Sequence, residues 1–182
     1  LTVTLLYGVY EKADVITRAA ILENGGTGTI RLHKAASACL DLPFGEWELI
    51  HFHGRHCMER QPQRAPLPFG IQTLRSARGA SSHHHNPFAI LAAPHTTEDA
   101  GDCLGAMLVY SGNFKIECEV SQLHSTRLIA GISGDDFCWT LAPGESFTTP
   151  EVLFSYTTGG LGELSRQYHR FLQHSIIRSP WK

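Results

Sequence analysis

Apolar and polar residues alternate with a period of two along most of this chain, in short segments separated by turn formers. Thr2 to Tyr10 places an apolar residue at every second position, and Val15 to Glu23 forms a similar segment closed by Asn24-Gly25-Gly26. Successive side chains of a strand point to opposite faces of a sheet, so this pattern predicts strands with one buried face. About a dozen such segments precede residue 158, which predicts an all-β fold, a large antiparallel β-sandwich.

The segments that follow lead to three further predictions: a strand, a loop and a hairpin. Thr27 to Lys34 is predicted as a third strand, which would complete an antiparallel meander. Ala35 to Gly45 is rich in small residues and is predicted as a loop that changes sheet. Cys103 to Tyr110 and Phe114 to Val120 are predicted to form the clearest hairpin of the chain.

The periodicity changes only near the C-terminus. Apolar residues at spacings of three and four predict an amphipathic helix that enters through Gly159 to Gly162 and ends before Pro180. We therefore divide the chain into a sandwich, residues 1–158, and a helix, residues 159–182.

Composition excludes several classes of protein. The chain has 182 residues, a net charge of -2 and 42% hydrophobic residues, which fits one globular domain with a neutral partner. It has neither a run of transmembrane length nor a basic surface, so we expect no membrane span and no nucleic-acid partner. Its five cysteines are odd in number and widely spaced, which favours reduced, buried, inert thiols and a cytoplasmic location.

The loop from Arg78 to Phe88 is the first candidate for function. It combines the turn formers Gly79, Ser81, Ser82 and Asn86 with three consecutive histidines at positions 83 to 85. Adjacent side chains of an extended segment point to opposite sides, and the usual ligand spacings are missing, so a polar loop is favoured over a metal site. We expect neither a metal nor a cofactor.

A second candidate, His53 to Arg60, follows a predicted strand and is expected to lie beside the first. Arg55, Glu59 and Arg60 suit either a hydroxyl-rich ligand or a buried ion pair that fixes the loop, and the ion pair is favoured. The candidates for a substrate rim or an interface are Arg55, His56, Glu59, Arg60, Ser81, Ser82 and Asn86.

The chain resembles the N-terminal domain of family 36 glycoside hydrolases, the bacterial α-galactosidases. Five phrases in the same order carry the resemblance: Asp14-Val15-Ile16-Thr17-Arg18, His53-Gly54-Arg55-His56 with Met58-Glu59-Arg60, Arg78-Gly79-Ala80-Ser81-Ser82-His83 continuing to Asn86-Pro87-Phe88, Tyr110-Ser111-Gly112-Asn113-Phe114, and Pro143-Gly144-Glu145-Ser146-Phe147 with Thr149-Pro150-Glu151.

The resemblance implies a galactose-mutarotase-like supersandwich that lacks its own catalytic residues. The family's catalytic aspartates lie in a (β/α)₈ barrel, which is expected downstream of residue 182, and the domain is expected to begin before Leu1. The parent would hydrolyse terminal α-galactosyl residues of melibiose- or raffinose-type sugars by a retaining mechanism without a metal. It would assemble as a homo-oligomer, a tetramer in several family members.

Two other sets of residues could act on or bind sugar. The pairs Glu46/Glu48 and Glu117/Glu119 each share a strand face, but alternating carboxylates are expected to be a solvated face rather than a catalytic pair. Trp47, Trp139 and Trp181 could stack on a sugar, although a core position is favoured.

Two alternative functions stay open. The first is a free-standing carbohydrate-binding module. The second, which is least favoured, is a cupin-like metal enzyme that uses the histidines of the loop from Arg78 to Phe88.

Overall fold

A computed structural model describes residues 1–42 and 45–180. This part of the chain contains fourteen strands and one α-helix, α1 (Gly160–Phe171), which continues into a π-helical turn, Leu172–Ile176. The strands are β1 (Thr2–Tyr10), β2 (Val15–Glu23), β3 (Ile30–Leu32), β4 (Ala36–Leu42), β5 (Glu48–Arg55), β6 (Met58–Pro66), β7 (Gly70–Arg75), β8 (His85–Ala92), β9 (Cys103–Leu108), β10 (Phe114–Val120), β11 (Thr126–Ile132), β12 (Trp139–Leu141), β13 (Ser146–Thr148) and β14 (Val152–Thr157).

The strands form two main antiparallel sheets that pack face to face. The large sheet has eight strands in the order β1-β2-β14-β9-β8-β5-β6, with β13 also paired to β2. The small sheet has four strands in the order β4-β11-β10-β7, and β3 pairs separately with β12. The predicted antiparallel β-sandwich is confirmed.

The main core fills the space between the two sheets. Phe114, Ile116 and Leu128 of the small sheet are completely buried, and they meet Leu91 and Leu108 of the large sheet. These positions recur at every second residue of their strands, so the alternation in the sequence reports the inner faces directly.

Helix α1 covers the opposite, outer face of the large sheet. Leu164, Tyr168 and Phe171 are buried there, as the spacing of apolar residues predicts. The Tyr168 hydroxyl donates a hydrogen bond to the Leu153 carbonyl at 3.1 Å. A Cβ at Gly105 would stand 2.6 Å from the Tyr168 ring, so the strand beneath the ring requires a glycine.

The helix begins on a loop that satisfies its first backbone N–H groups. Gly160, Leu161 and Gly162 donate to the carbonyls of Gly101, Thr97 and Glu98, at 3.1, 2.9 and 3.0 Å. The first residues of a helix have no partners within the helix, so these bonds fix where it starts. The glycine-rich segment is the helix entry, as predicted.

Two expectations between residues 27 and 45 are wrong. The third strand covers only Ile30–Leu32 and pairs with β12, so the meander ends after β2. Ala36–Leu42, expected to be a loop, is edge strand β4. Its small side chains hide the period of two. Its backbone lies close to β11 because position 131 is a glycine, where a Cβ would stand 2.8 Å from the Ser37 nitrogen. Pro43 of that predicted loop lies outside the described residues.

The hairpin expected from β9 and β10 is also wrong. β9 lies in the large sheet between β14 and β8, whereas β10 lies in the small sheet between β11 and β7. Leu108 and Phe114 are both buried in the same core, so the chain crosses from one sheet to the other between them.

Strand β1 has no buried face, contrary to the expectation. It pairs with β2 along its whole length, but the small sheet ends at β4, which lies opposite β2. The Arg18 guanidinium on β2 donates to the Cys39 carbonyl of β4 at 2.8 Å. The inner face of β1 therefore projects beyond the sandwich, and its apolar residues Val3, Leu5, Tyr7 and Val9 are 53%, 49%, 60% and 67% exposed.

Across residues 1–42 and 45–180, no helix is both long enough and apolar enough to cross a membrane.

Candidate functional site

The structure brings the two candidate stretches together at one end of the sandwich. Strand β8 begins at His85, within the predicted loop from Arg78 to Phe88, and His85 pairs with His53 of β5. The Gly54 backbone N–H donates to the His84 carbonyl at 3.3 Å. The β5–β6 hairpin and the histidine loop, residues 76–84, are therefore joined by their backbones, as expected.

The histidine loop is anchored on the segment that crosses between the sheets. Ser81 N–H donates to the Ser111 carbonyl, and Gly79 N–H donates to Asn113 Oδ1, both at 2.7 Å. Gly79 has a φ of 82°, which is the left-handed conformation that glycine adopts without strain. The loop is thus held by neighbouring chain rather than free in solvent.

Histidines cluster where the loop meets β5. The His51 ring centroid lies 6.5 Å from that of His53 and 6.3 Å from that of His85, and His83 and His84 meet edge to face at 4.5 Å. Sequence analysis missed His51, although its spacing of two from His53 on one strand places both side chains on the same face.

Three of these imidazoles, those of His51, His84 and His85, favour the neutral form. Burial, followed by the charges of His85 and His53, lowers the pKa of His51. Burial also lowers the pKa of His85 and of His84, and Arg78 adds to both shifts. Among the residues that the structure describes, the buried Nδ1 atoms of His51 and His85 find no hydrogen-bond partner. The described ranges contain no group of three or more histidine, cysteine, aspartate or glutamate side chains placed to hold a metal ion.

Of the predicted site residues, Ser82 lies with the histidines. Its hydroxyl accepts a hydrogen bond from His84 N–H at 3.0 Å. Ser82 also lines a depression of about 390 Å³, which we call the histidine pocket, together with Arg75, Ser76, Ala77, Arg78, His84 and His85.

Arg60 and Asn86 lie on the other face of the large sheet. Both line a groove of about 720 Å³ between the β5–β8 ladder and helix α1. The Arg60 guanidinium lies 6.0 Å above the Phe52 ring, which is stacked on Phe88 at a centroid distance of 6.0 Å. Asn86 Oδ1 is buried and has no hydrogen-bond partner. We call this depression the helix groove.

Arg55, His56 and Glu59 are exposed at the hairpin tip, away from both depressions. Glu59 Oε1 accepts the Cys57 backbone N–H at 2.9 Å, and Arg55 Nη2 contacts Met58 Sδ at 3.2 Å. The expectation of a buried ion pair among Arg55, Glu59 and Arg60 is wrong, because all three residues are exposed. Glu59 instead stabilises the turn through a backbone hydrogen bond. Ser81 acts through its backbone N–H rather than its hydroxyl.

The paired glutamates agree with the solvated-face interpretation. Glu48 accepts hydrogen-bonded contacts from Arg64 at 2.5 and 2.6 Å, and Glu117 pairs with Lys34 at 3.3 Å. Glu117 and Glu119 lie on the outer face of the small sheet, because Ile116 and Cys118, which alternate with them, point into the core.

The tryptophans divide between core and surface. Trp47 is partly buried against the main core and lines a cleft of about 410 Å³ with Phe69 and His124. Trp139, which was expected in the core, is 48% exposed on the two-stranded sheet, 5.2 Å from the Phe147 ring. Trp181 lies outside the described residues.

The cysteines divide in the same way. Burial raises the pKa of the Cys103 thiol to about 11 and that of the Cys118 thiol to about 12, so both favour the unreactive thiol form at neutral pH. Cys39, Cys57 and Cys138 are exposed free thiols, contrary to the expectation that all would be buried.

Comparisons with known proteins agree on one family. The sequence model of the glycosyl hydrolase family 36 N-terminal domain matches residues 1–142. The bifunctional alpha-galactosidase/sucrose kinase AgaSK of Mediterraneibacter gnavus is 49% identical over 98% of this chain, which corresponds to 19% of its own length. Alpha-galactosidase AgaA of Geobacillus stearothermophilus is 43% identical over 100% of this chain and 25% of its own length.

Solved structures give the same result. The galactosidase domain of AgaSK superposes on 98% of this chain with a TM-score of 0.96 and 49% identity. The AgaA structure in complex with stachyose superposes on 98% with a TM-score of 0.96 and 43% identity. This chain covers 25% of each of those two chains, and it spans about a fifth to a quarter of the curated relatives it matches.

Proposed function

Because the chain belongs to glycosyl hydrolase family 36, as its N-terminal domain, we propose that it is the non-catalytic sandwich of an α-galactosidase. The whole enzyme hydrolyses terminal α-galactosyl residues of melibiose- or raffinose-type oligosaccharides by a retaining mechanism. The chemistry belongs to a (β/α)₈ barrel elsewhere in the same polypeptide. This domain supports the barrel and contributes to contacts between the subunits of a cytoplasmic homo-oligomer.

The observation that carries this proposal is similarity along the whole chain to a minor part of much longer enzymes. Alpha-galactosidases match 98 to 100% of the chain at 43 to 49% identity, yet three-quarters or more of each curated relative lies outside the match. Within the chain, Glu48 and Glu117 are engaged by Arg64 and Lys34 rather than poised as a nucleophile and an acid.

The helix groove favours a scaffolding role. It is lined by apolar side chains of both the sheet and the helix, including Phe52, Leu161 and Leu172. Burial of apolar surface is the main source of free energy when domains associate. We propose that the barrel packs here, with residues 159–182 as the link toward it.

Hydrolysis of a chromogenic α-galactoside tests the proposal. We expect a longer polypeptide that includes the barrel to release the chromophore. The 182-residue chain at the same concentration should release none. Glu48→Gln and Glu117→Gln in the longer polypeptide should leave its hydrolysis rate near that of the parent. Activity in the short chain that either substitution abolishes would overturn the proposal and assign catalysis to the paired glutamates.

One observation favours a second function, a carbohydrate-binding module. The cleft at Trp47 exposes the Phe69 ring, which packs edge to face with His124 at 4.9 Å, and aromatic rings bind the apolar faces of sugars. Retention of the 182-residue chain on a galactoside matrix, abolished by Phe69→Ala, would support this function.

A further inference from the structure

The histidine pocket gathers basic side chains without enough acid to balance them. Arg75, Arg78, His84 and His85 line the depression, and His51 and His53 flank His85. They come from four elements: β5, β7, the histidine loop and β8. None of the pKa shifts of His51, His84 and His85 has a carboxylate among its causes.

The acid that pairs with a residue of the pocket, Asp135, is already neutralised. The Asp135 carboxylate accepts a hydrogen bond from Arg75, which lines the pocket, and another from Lys115 at 3.1 Å. Two cations therefore share one carboxylate. In the part of the chain that the structure describes, Arg78 enters no ion pair, and its charge acts on both His84 and His85.

The pocket also offers hydrogen-bond donors besides charge. The Arg78 guanidinium is a planar fork of donors that suits an oxyanion, and the Ser82 hydroxyl lies in the same depression. A neutral sugar would satisfy the donors and leave the charge of Arg78 unbalanced, and a cation would be repelled.

We propose that the histidine pocket binds an oxyanion, a carboxylate or an ion of similar chemistry, held by Arg78 and Ser82 with His84 and His85 beside it. A negative charge beside the imidazole rings favours their protonated form, so His84 and His85 take up protons as the anion binds. Two sources have the required chemistry: an Asp or Glu side chain from the rest of the polypeptide, which rests on the proposed function, and a free oxyanion, which does not.

Sulfate titration into the whole polypeptide tests the free-ion source. We expect saturable binding that strengthens as the pH falls toward about 6, where imidazole begins to protonate. Arg78→Ala should weaken this binding about tenfold or more, the scale of one lost charge-assisted contact. Arg31→Ala is the matched control, since Arg31 also enters no ion pair in the described residues and lies on the separate two-stranded sheet.

Proton uptake separates this site from general surface charge. Binding heats measured in two buffers of different ionisation enthalpy should show protons taken up with sulfate, and the double variant His84→Gln/His85→Gln should abolish that uptake. An Arg78-independent, pH-independent signal would mean an adventitious ion only and would overturn the free-ion source.

The second arm tests a carboxylate of the same polypeptide. If one fills the pocket, sulfate does not bind, and Arg78→Ala lowers the melting temperature more than Arg31→Ala does, by a margin that closes at high ionic strength. If sulfate does not bind and both variants melt together, the proposal is wrong. Hydrolysis of the α-galactoside is assayed separately, so failure of the proposed function remains distinguishable from failure of this site.

Discussion

At the scale of single residues, the imidazoles at the end of the sandwich couple its stability to pH. Burial holds the pKa of His51 below the usual 6.5, and the neighbouring charges of His85 and His53 lower it further. The pKa values of His84 and His85 are lowered as well. The unfolded chain therefore binds protons at a higher pH than the folded chain does.

We expect the 182-residue chain to lose stability as the pH falls through the range of histidine titration. The stability that the neutral imidazoles provide is fully present above their pKa in the unfolded chain, about 6.5. It is lost as the pH drops through their lower pKa values in the folded chain. Urea unfolding at about pH 7.5, 6 and 5 measures this loss. His51→Asn should flatten the dependence, because it removes one of the groups that the folded state keeps neutral.

Two comparisons make the result specific. His174→Gln, on the exposed turn after α1, should leave the pH dependence unchanged. The carboxyls whose pKa is lowered by ion pairs, such as Asp135 beside Lys115 and Arg75, act in the same direction but below about pH 4. Equal stability at pH 7.5 and 5 would contradict the lowered histidine pKa values.

At the scale of elements, the start of α1 depends on one close contact between backbones. Gly160 has a φ of 79°, and a Cβ there would stand 2.6 Å from both the Ala100 nitrogen and the Thr97 oxygen. The Thr97 oxygen accepts the Leu161 N–H at the start of the helix, and the Ala100 nitrogen donates to Thr97 Oγ1 at 3.2 Å, so moving either atom breaks a hydrogen bond. Helix position and loop position are therefore fixed together.

Gly160→Ala should destabilise the chain far more than the same change at another glycine of similar conformation. Gly144 has a φ of 81°, and a Cβ there would meet nothing within 4 Å, so Gly144→Ala isolates the cost of the left-handed conformation, about 1 to 2 kcal/mol. Gly160→Ala adds the clash, for a total of about 3 kcal/mol or more. Urea unfolding of both variants gives the difference, and equal losses would show that the contact is unimportant.

The elements also show what sequence alone predicts. Strands β1 and β10 have their predicted bounds because each alternates along its length. Which strands pair with each other was predicted less well, since an alternation with a period of two indicates that one face is buried but does not identify the neighbouring strand. β9 and β10 share a core but not a sheet, and β4 was hidden because alanine and serine carry little hydrophobic contrast.

For the candidate site, too, the sequence predicted some features and missed others. The motifs correctly placed the hairpin beside the histidine loop. They did not separate Ser82, in the histidine pocket, from Arg60 and Asn86, in the helix groove. That separation depends on which face of the sheet each side chain reaches: His85 lines the histidine pocket, and Asn86, the next residue, lines the helix groove on the opposite face.

At the scale of the whole molecule, the two sheets differ in width, and this leaves apolar surface uncovered. The inner face of β1 carries Tyr7, 60% exposed, and Val9, 67% exposed, next to Ile16 of β2 at 45%. Contiguous apolar patches on a soluble chain drive association, and β1 is also an unpaired edge. The isolated chain is therefore expected to self-associate through this edge.

Val9→Lys should shift the isolated chain toward the monomer with little change in stability. Val9 is mostly exposed, so the substitution alters the free energy of unfolding by about 0.5 kcal/mol or less, but it places a charge in the centre of the apolar face. Light scattering coupled to size-exclusion chromatography, over a range of concentrations, measures the mass of the species present.

Thr4→Lys provides the matched control for this effect. It adds the same charge to the same strand, but Thr4 pairs with Ile21 and points to the opposite face of β1 from Tyr7 and Val9. If association buries the inner face, Val9→Lys weakens it and Thr4→Lys does so much less. If the strand edge alone drives association, the two variants behave alike. A parent chain that is monomeric at every concentration would show that neither surface drives association.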